Sequence, residues 1–558
     1  MAIHHWFYMS KKVFFILTII IFIASILRLW QLGTVPISPN WDEASLGYNA
    51  YSIMHTGRDE YGKFLPIILR SFDDYKPALY TYLTIPSIAI FGLNVFAVRL
   101  PSAIFGILTV LTVFFLVRKL FGRSDIALLS SFLLAISPWH IQFSRVAFES
   151  NVGLAFNAFG LLFFLKGLKK PFYLLVSSML FSLNLYVYQS EKVFVPLFVV
   201  CLAVIYRKEL LSFLKKHIIL AAALGLLISL SIISFTLFNE GTFTRAQGVS
   251  FLSTETPLLK DTAQKLIRDR QNNDVLGLIL DNRRIVYIKT IIASYLSHYD
   301  PVWLFIKGDA NNNRHHAPNM GLLYLFELPF LLIGIYYLIF GNFDKKTKAF
   351  MLAWFFIAPI PASITRDVPH AVRTLNFLPT FQIFTAIGFI TFVTVISNIK
   401  YQIAKIHIKY LIFALYFSFS IFNFSYYLNQ YFVQQNYYYA KDWKYGYQEL
   451  VEYLKPIHNK YNKIIVSNVA PLDQSYMFFL FYLKHDPAGY LREGGTLSGG
   501  FKEKNSFSNF EFRKFNYYDE SGKTLFVGTD QDFPEVFKET KRIKNPDGSV
   551  AIRVVEKE

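Results

Sequence analysis

Apolar residues in this chain gather into runs of about 15 to 25, separated by short charged stretches. Runs of that length match the thickness of a bilayer, whereas helices of a soluble core show an apolar stripe on one face. The pattern predicts about eleven spans, centred near residues 20, 107, 132, 158, 180, 199, 228, 331, 356, 387 and 420. The two near 180 and 199 are short and are split by Gln189-Ser190-Glu191-Lys192. Three longer stretches interrupt or follow the spans: 31–95, 239–318 and 430–558. Inside the first, residues 79–91 (LYTYLTIPSIAIF) are apolar but too short to cross, and suit an interfacial or re-entrant helix. The last mixes a helical stretch, YQELVEYLKPI, with the strand-like runs KIIVSN, TLFVGT and VAIRVVE. The expected architecture is an all-α polytopic membrane module over residues 1–429, followed by a small α/β domain over 430–558. No repeat or low-complexity tract is visible.

Charge gives these segments a side. Basic clusters recur in every second connection: Lys11 and Lys12; Arg118, Lys119 and Arg123; Lys166, Lys169 and Lys170; Arg207, Lys208, Lys215 and Lys216; Lys345, Lys346 and Lys348; Lys400, Lys405 and Lys409. The positive-inside rule places this set and the N-terminus in the cytoplasm, and an odd number of spans then puts the C-terminal domain outside. The loops 31–95 and 239–318 become outer loops, and the expected location is the cytoplasmic (cell) membrane. The first apolar run, about Val13 to Leu27, has no small-residue cleavage site after it and is expected to be retained as a helix.

Composition agrees. The chain is 53% hydrophobic and only 17% charged, where a soluble protein carries nearer a quarter. The net charge of +18 lies in short clusters between apolar runs, which points to membrane lipid and away from nucleic acid. Cys201 is the single cysteine, so a disulfide framework within the chain and a multi-cysteine metal site are both excluded.

The candidate chemistry collects on the face opposite the basic loops. Asp42 and Glu43 follow Pro39 and Trp41 and open a helix-like stretch. Adjacent carboxylates there could serve as a general base, a metal ligand or an acidic helix cap. Lys76, in Asp73-Asp74-Tyr75-Lys76-Pro77, stands just before the 79–91 segment, where it could snorkel to the headgroups or hold a lipid phosphate. Arg99 opens the next span, as an anchor or a phosphate clamp. Arg145 and Glu149 are four apart and on a helix would form an ordinary ion pair. His315 and His316 invite a metal reading, but adjacent side chains point apart. His370 and Arg373, in TRDVPHAVRTLNF, would share a helix face at another outer junction. Carboxylates among cations at the headgroup level suit a reaction on a lipid phosphate, in which a base activates a hydroxyl and cations stabilise the departing phosphate.

The run from Arg28 through Asp42-Glu43, Gly57, Lys76-Pro77, Phe91-Gly92 and Arg99-Leu100-Pro101-Ser102-Ala103 resembles integral-membrane glycosyltransferases of the GT-C superfamily. Within it, the protein O-mannosyltransferases and the aminoarabinose lipid A transferases, both phospholipid carrier-dependent, look most alike. The likeness covers roughly residues 20 to 235 and touches Pro369-His370 and Arg373. It implies a GT-C fold and an inverting transfer of a sugar from a polyprenyl-phosphate donor to a glycan, lipid or protein acceptor at the outer membrane face. By position, Asp42 would be the catalytic acid residue, proposed as general base, with Glu43 beside it. Lys76 and Arg99 would bind the donor phosphate, as would His370 and Arg373, with Arg145 and Glu149 as further candidates. Some relatives use a divalent metal and others need none, so the resemblance makes a divalent metal possible and no cofactor certain. Asp442-Trp443-Lys444-Tyr445-Gly446 superficially resembles the Trp-Trp-Asp-Tyr-Gly signature of oligosaccharyltransferases. The order differs, and these aromatics read as the joint between the last span and the C-terminal domain. A second class, a transporter or flippase of lipid-linked glycans, predicts ionisable residues at mid-membrane and inverted repeats. The span centres carry little besides Asn157 and Asn184.

Overall fold

A computed structural model describes residues 9–72, 74–213, 215–238, 257–310, 312–398, 403–497, 505–519, 523–533 and 539–557. Asp73, Lys400 and the first part of the second long loop, 239–256, lie outside the described residues.

A helix covers each of the eleven predicted span centres. Among the described residues, five helices are long and apolar enough to cross a membrane: Lys11–Leu29 (α1), Val95–Phe121, Lys215–Phe238, and the continuous stretches Leu375–Ser397 and Tyr410–Tyr438. A sixth forms if Ser124–Ile136 and Pro138–Ser144, bent by 59°, count as one span. Of the helices at the remaining centres, Glu149–Gly167 has 19 residues, as α1 does, and the rest are shorter. Phe172–Asn184, Leu328–Phe340 and Lys345–Ile357 have 13 residues each, a rise of about 20 Å against a hydrocarbon thickness of about 30 Å. An apolar run in sequence does not distinguish one continuous helix from a helix with apolar turns attached, and the eleven-span expectation counted both. The chain is a multi-pass membrane protein. Residues 79–91 are a helix, as expected from their composition. Much of the second long loop is helical too, in Pro257–Gln271, Val275–Leu280 and Arg283–Ser297.

The chain divides into two compact units. One comprises Met1–Ile23, Leu108–His140 and Gly153–Asn423; the other comprises Ala24–Ile107, Ile141–Val152 and Phe424–Glu558.

In the first unit the helices pack closely. Leu328–Phe340 crosses Thr380–Asn398 with Gly334 facing Gly388: a Cβ on either would overlap the backbone carbonyl of Phe384 or Phe330. Only glycine allows this backbone contact, which makes the crossing one of small residues, as in membrane helix pairs generally. A polar network runs through the same unit. The fully buried Glu191 accepts from the Nδ2 atoms of Asn376 (2.7 Å), Asn157 (2.8 Å) and Asn184 (3.2 Å). Asn157 and Asn184, the polar residues of otherwise apolar spans, thus satisfy a buried carboxyl group.

The second unit is built on Trp41–Thr56 (α2). It packs against Leu79–Phe91 (α3), Ser475–Leu483 and Pro487–Arg492. Gly47 sits where these approach: a Cβ there would lie 2.6 Å from Val98 and 2.7 Å from Phe481. A hairpin of Ile68–Ser71 (β1) and Asp74–Pro77 (β2) follows α2, with Lys76 paired opposite Leu69. The C-terminal part carries a six-stranded mixed sheet from Lys463–Val466 (β3), Asn505–Phe507 (β4), Phe510–Phe512 (β5), Thr524–Gly528 (β6), Glu539–Lys544 (β7) and Val550–Lys557 (β8). Its order is β4-β5-β3-β6-β8-β7, with β3 parallel to β5 and β6 and the remaining pairs antiparallel. Ile465, Phe526, Phe533 and Val555 form a buried cluster against it. The expected small α/β element is therefore present, with β3, β6 and β8 where the sequence places strands.

Candidate active site

The two adjacent carboxylates at the start of α2 have opposite environments. Asn40 caps the helix: its Oδ1 accepts from the Glu43 N–H (2.9 Å), and the Glu43 carboxylate accepts from the Asn40 N–H (3.2 Å). This reciprocal box turns the Glu43 side chain back toward the interior. There it meets Arg99 in a two-pronged pair, Nε to Oε1 at 2.8 Å and Nη2 to Oε2 at 3.1 Å, and accepts from the Ala147 N–H at 3.1 Å. Both side chains are essentially out of contact with solvent, at 0% and 1% exposed. The spacing Asn-x-x-Glu from Asn40 to Glu43 is a capping signature, and it is the sequence signal that separates Glu43 from its neighbour.

Arg99 has little left for a ligand. Its Nη1 donates to the carbonyls of Leu32 (3.1 Å) and Pro36 (2.8 Å), and its Nη2 also donates to that of Ser38 (2.8 Å). Arg145 does the same for Leu27 (2.9 Å), Gln31 (3.3 Å) and Val35 (3.0 Å), with its guanidinium 4.8 Å from the Phe432 ring centre. Between them the two buried arginines grip the backbone that joins α1 to α2. Arg145 lies in a turn between Pro138–Ser144 and the helix beginning at Glu149, so the two residues do not share the helix that their four-residue spacing suggested.

Asp42 points the other way. Its side chain is 35% exposed and pairs with the ammonium of Lys76, which is 13% exposed. Lys76 is carried by the β1–β2 hairpin. Burial pulls its ammonium down, but the carboxylates of Asp42, Glu149 and Asp74 outweigh that, and the net shift is upward. Lys76 is therefore a firmly held cation among three acids. The joint described by Asp442–Gly446 adjoins this region: Trp443 is fully buried with the Arg99 guanidinium 5.9 Å from its ring centre. Lys444 lies 4.7 Å over the Trp41 ring and binds Asp473 at 2.7 Å.

At the far end of α2, Glu60 is fully buried with no ion-pair partner among the described residues. It accepts from Asn49 Nδ2 (3.0 Å), Thr496 Oγ1 (2.8 Å) and the Tyr476 hydroxyl (3.2 Å), and burial pushes its carboxyl up to about 7. It ties the stretch 31–95 to the C-terminal part of the same unit.

His370 and Arg373 belong to the other unit and have different company. Arg373 Nη1 donates to Thr365 Oγ1 and to the Arg366 carbonyl, both at 2.7 Å, closing its own loop. The His370 N–H donates to His298 Nε2 (3.2 Å), and its ring lies 5.1 Å from that of His315. His315 Nδ1 is 2.7 Å from Asp309 Oδ2, while His316 turns to the Ala317 carbonyl instead. The adjacent histidines do point apart, and the partner that matters, Asp309, carried no sequence signal beyond its place six residues before His315. Burial holds the imidazoles of His298 (about 4), His315 and His370 below their ordinary value. Among the described residues, Asp309, His315 and His370 are the group able to hold a metal, with ligand atoms all within 4.8 Å of one another.

Residues 75–235 match the model of the dolichyl-phosphate-mannose-protein mannosyltransferase family. In fold, ArnT from Cupriavidus metallidurans bound to undecaprenyl phosphate superposes with a TM-score of 0.55 at 11% identity, covering 97% of this chain and 97% of that one. The chain has the fold of ArnT. The apo form of the same ArnT gives a TM-score of 0.54 over the same shares, at 11% identity. The Archaeoglobus fulgidus oligosaccharyltransferase tethered with an acceptor peptide gives 0.50 at 14% identity, over 85% of this chain. The chain spans 63% of the length of that oligosaccharyltransferase. A search of curated proteins finds no sequence match. The family match begins one residue before Lys76 and includes Arg99, Arg145 and Glu149; Asp42, Glu43, His370 and Arg373 lie outside it.

Proposed function

We propose that this GT-C chain is a glycosyltransferase that moves a sugar from a polyprenyl-phosphate donor to an acceptor at the outer face of the cytoplasmic membrane. The observation that carries the reading is the half-exposed Asp42–Lys76 pair, mounted on the buried Glu43–Arg99 scaffold. ArnT, whose fold covers 97% of this chain, was solved with undecaprenyl phosphate, which supports a lipid phosphate as the ligand class.

In this reading Lys76 exchanges Asp42 for the donor phosphate. Asp42, released, takes the proton of the acceptor hydroxyl. The acceptor oxygen then bonds to the anomeric carbon as the carbon–oxygen bond to phosphate breaks, and its electron pair leaves on the phosphate. Attack opposite the leaving group inverts the anomeric centre. Lys76 stabilises the departing charge, while Glu43, Arg99 and Arg145 position the platform rather than touch the donor. Glu149 and Asp74 keep Lys76 protonated. His370 and Arg373, proposed from sequence as further phosphate contacts, have a separate role argued below for His370. The 430–558 region is the proposed extracytoplasmic domain.

The test is release of free polyprenyl phosphate from polyprenyl-phosphate sugars by purified protein. Asp42→Asn is expected to lower turnover by roughly 10²- to 10⁴-fold, the usual contribution of a general base, with the fold retained. Undiminished turnover in a folded Asp42→Asn protein overturns the assignment.

A transporter or flippase is the second reading, and buried Glu191 is the observation in its favour. Three side-chain amides satisfy that carboxyl group, which makes it a packing element and ranks transport below transfer. Movement of a lipid-linked glycan across vesicles without release of polyprenyl phosphate would reverse the order.

A further inference from the structure

We propose that Asp309, His315 and His370 form a site for one divalent transition-metal ion of the zinc class. These three residues take no part in the reaction proposed above.

Geometry comes first. Residues 309 and 315 lie on one connection and 370 on another, yet their ligand atoms gather within 4.8 Å of one another. Ligands at about 2.0–2.1 Å from a tetrahedral zinc sit about 3.3 Å apart, so small side-chain adjustments close the set around an ion. The two imidazole rings are tilted at 43°, with centroids 5.1 Å apart, so they are not stacked on each other and can converge on a shared point.

The support around the three residues is what a metal site needs. Asp309 Oδ2 accepts from the Ala371 N–H at 3.0 Å, which ties the carboxylate to the connection that bears His370. His298 completes the frame: its Nδ1 is 2.7 Å from the Ser294 carbonyl, which fixes a proton there, and its Nε2 then accepts from the His370 N–H at 3.2 Å. His298 is thus spent as a brace, leaving three ligands. Hydrogen bonds of this kind orient ligands and are characteristic of metal sites.

One atom is otherwise unexplained. His370 Nδ1 is buried and has no hydrogen-bond partner among the described residues. An orphaned buried ring nitrogen is destabilising, and a coordinate bond would remove that cost. A simple Asp309–His315 hydrogen bond accounts for those two residues but not for this third nitrogen.

The donor set selects the ion. Two imidazoles and one carboxylate suit zinc, cobalt, iron(II) or manganese; magnesium and calcium prefer all-oxygen ligands. Three protein ligands leave a fourth position for water or a ligand oxygen, the open form of a zinc site.

The experiment uses the full chain in detergent, stripped with chelator and titrated with Co²⁺. Wild-type protein is expected to take up one Co²⁺ per chain with the visible absorption of a tetrahedral site, to lose that absorption to Zn²⁺, and to unfold at higher temperature when loaded. His315→Ala and His370→Ala are each expected to weaken binding by more than roughly 100-fold, while His316→Ala binds as the wild type does. Asp309→Asn, close in shape, serves where an alanine variant does not fold. Folded wild-type protein that takes up neither ion overturns the site, as does undiminished binding by the folded Asp309, His315 and His370 variants.

Discussion

Each end of α2 buries a carboxylate, and the two are stabilised in different ways. At the first turn Glu43 meets a full counter-charge: Arg99 in two-point contact, plus two backbone N–H groups. Beyond the last turn Glu60 meets neutral donors among the described residues, an amide and two hydroxyls, and its carboxyl is pushed up to about 7. An ion can be buried beside a guanidinium, whereas neutral donors only partly replace water. One end of the helix is therefore an ionic fastening. The other is a fastening whose strength follows pH. Asp42, a single residue from Glu43, shares neither environment and remains accessible.

The comparison can be broken most readily at Glu43. Glu43→Gln leaves the Arg99 guanidinium buried beside a neutral amide and is expected to cost about 3–5 kcal/mol, seen as a lowered thermal unfolding temperature and poor yield. Asp42→Asn is expected to stay within about 0.5 kcal/mol of wild type in the same assay. Equal stability of the two variants would erase the distinction between the carboxylates.

Glu60 offers the next effect. Its folded-state value lies above the ordinary 4.5, so the folded chain holds the proton more tightly than the unfolded one. The stabilisation is fully present below about pH 4.5, declines as pH rises and is lost above about pH 7, a change of order 3 kcal/mol for about 2.5 pH units. Glu60→Gln removes the titration. Its unfolding temperature relative to wild type is expected to improve steadily between pH 4.5 and 8, and a flat difference across that range would contradict the neutral-donor picture.

The smallest effect is expected at Lys76. A charge-assisted hydrogen bond contributes about 1.5–3 kcal/mol, so Lys76→Gln is expected to lower kcat/KM for the lipid-phosphate donor by roughly 10- to 100-fold. Stability should change less than in Glu43→Gln, because Lys76 and Asp42 both reach solvent. An unaltered kcat/KM would detach Lys76 from the donor.

Much of the helical framework was legible in the sequence because an apolar run long enough for a bilayer leaves few alternatives. Length was less legible: the run around 331 is a 13-residue helix, since hydropathy alone does not mark where a helix stops. In the C-terminal part, β3, β6 and β8 carry apolar runs and were visible. The edge strand β7 (ETKRIK) was hidden by the charge that protects an exposed edge. The helix Ser475–Leu483 (SYMFFLFYL), buried over most of its surface, has no polar face from which to read a period. At the site, the acids, Lys76 and the arginines could each be named from sequence. Which acid faced which cation could not, because Glu43 and Arg99 are 56 positions apart. The metal-binding candidate was harder still: Asp309 and His370 are brought together only by tertiary structure.

The backbone from Leu27 to Ser38 shows why the arginines matter. Six of its carbonyls, from Leu27 in the last turn of α1 to Ser38 before α2, accept from Arg99 and Arg145. Irregular backbone beside hydrocarbon is ordinarily ruled out by bare peptide groups. Here the guanidinium groups line the seam from within, so the chain turns from one helix to the next without leaving those carbonyls bare.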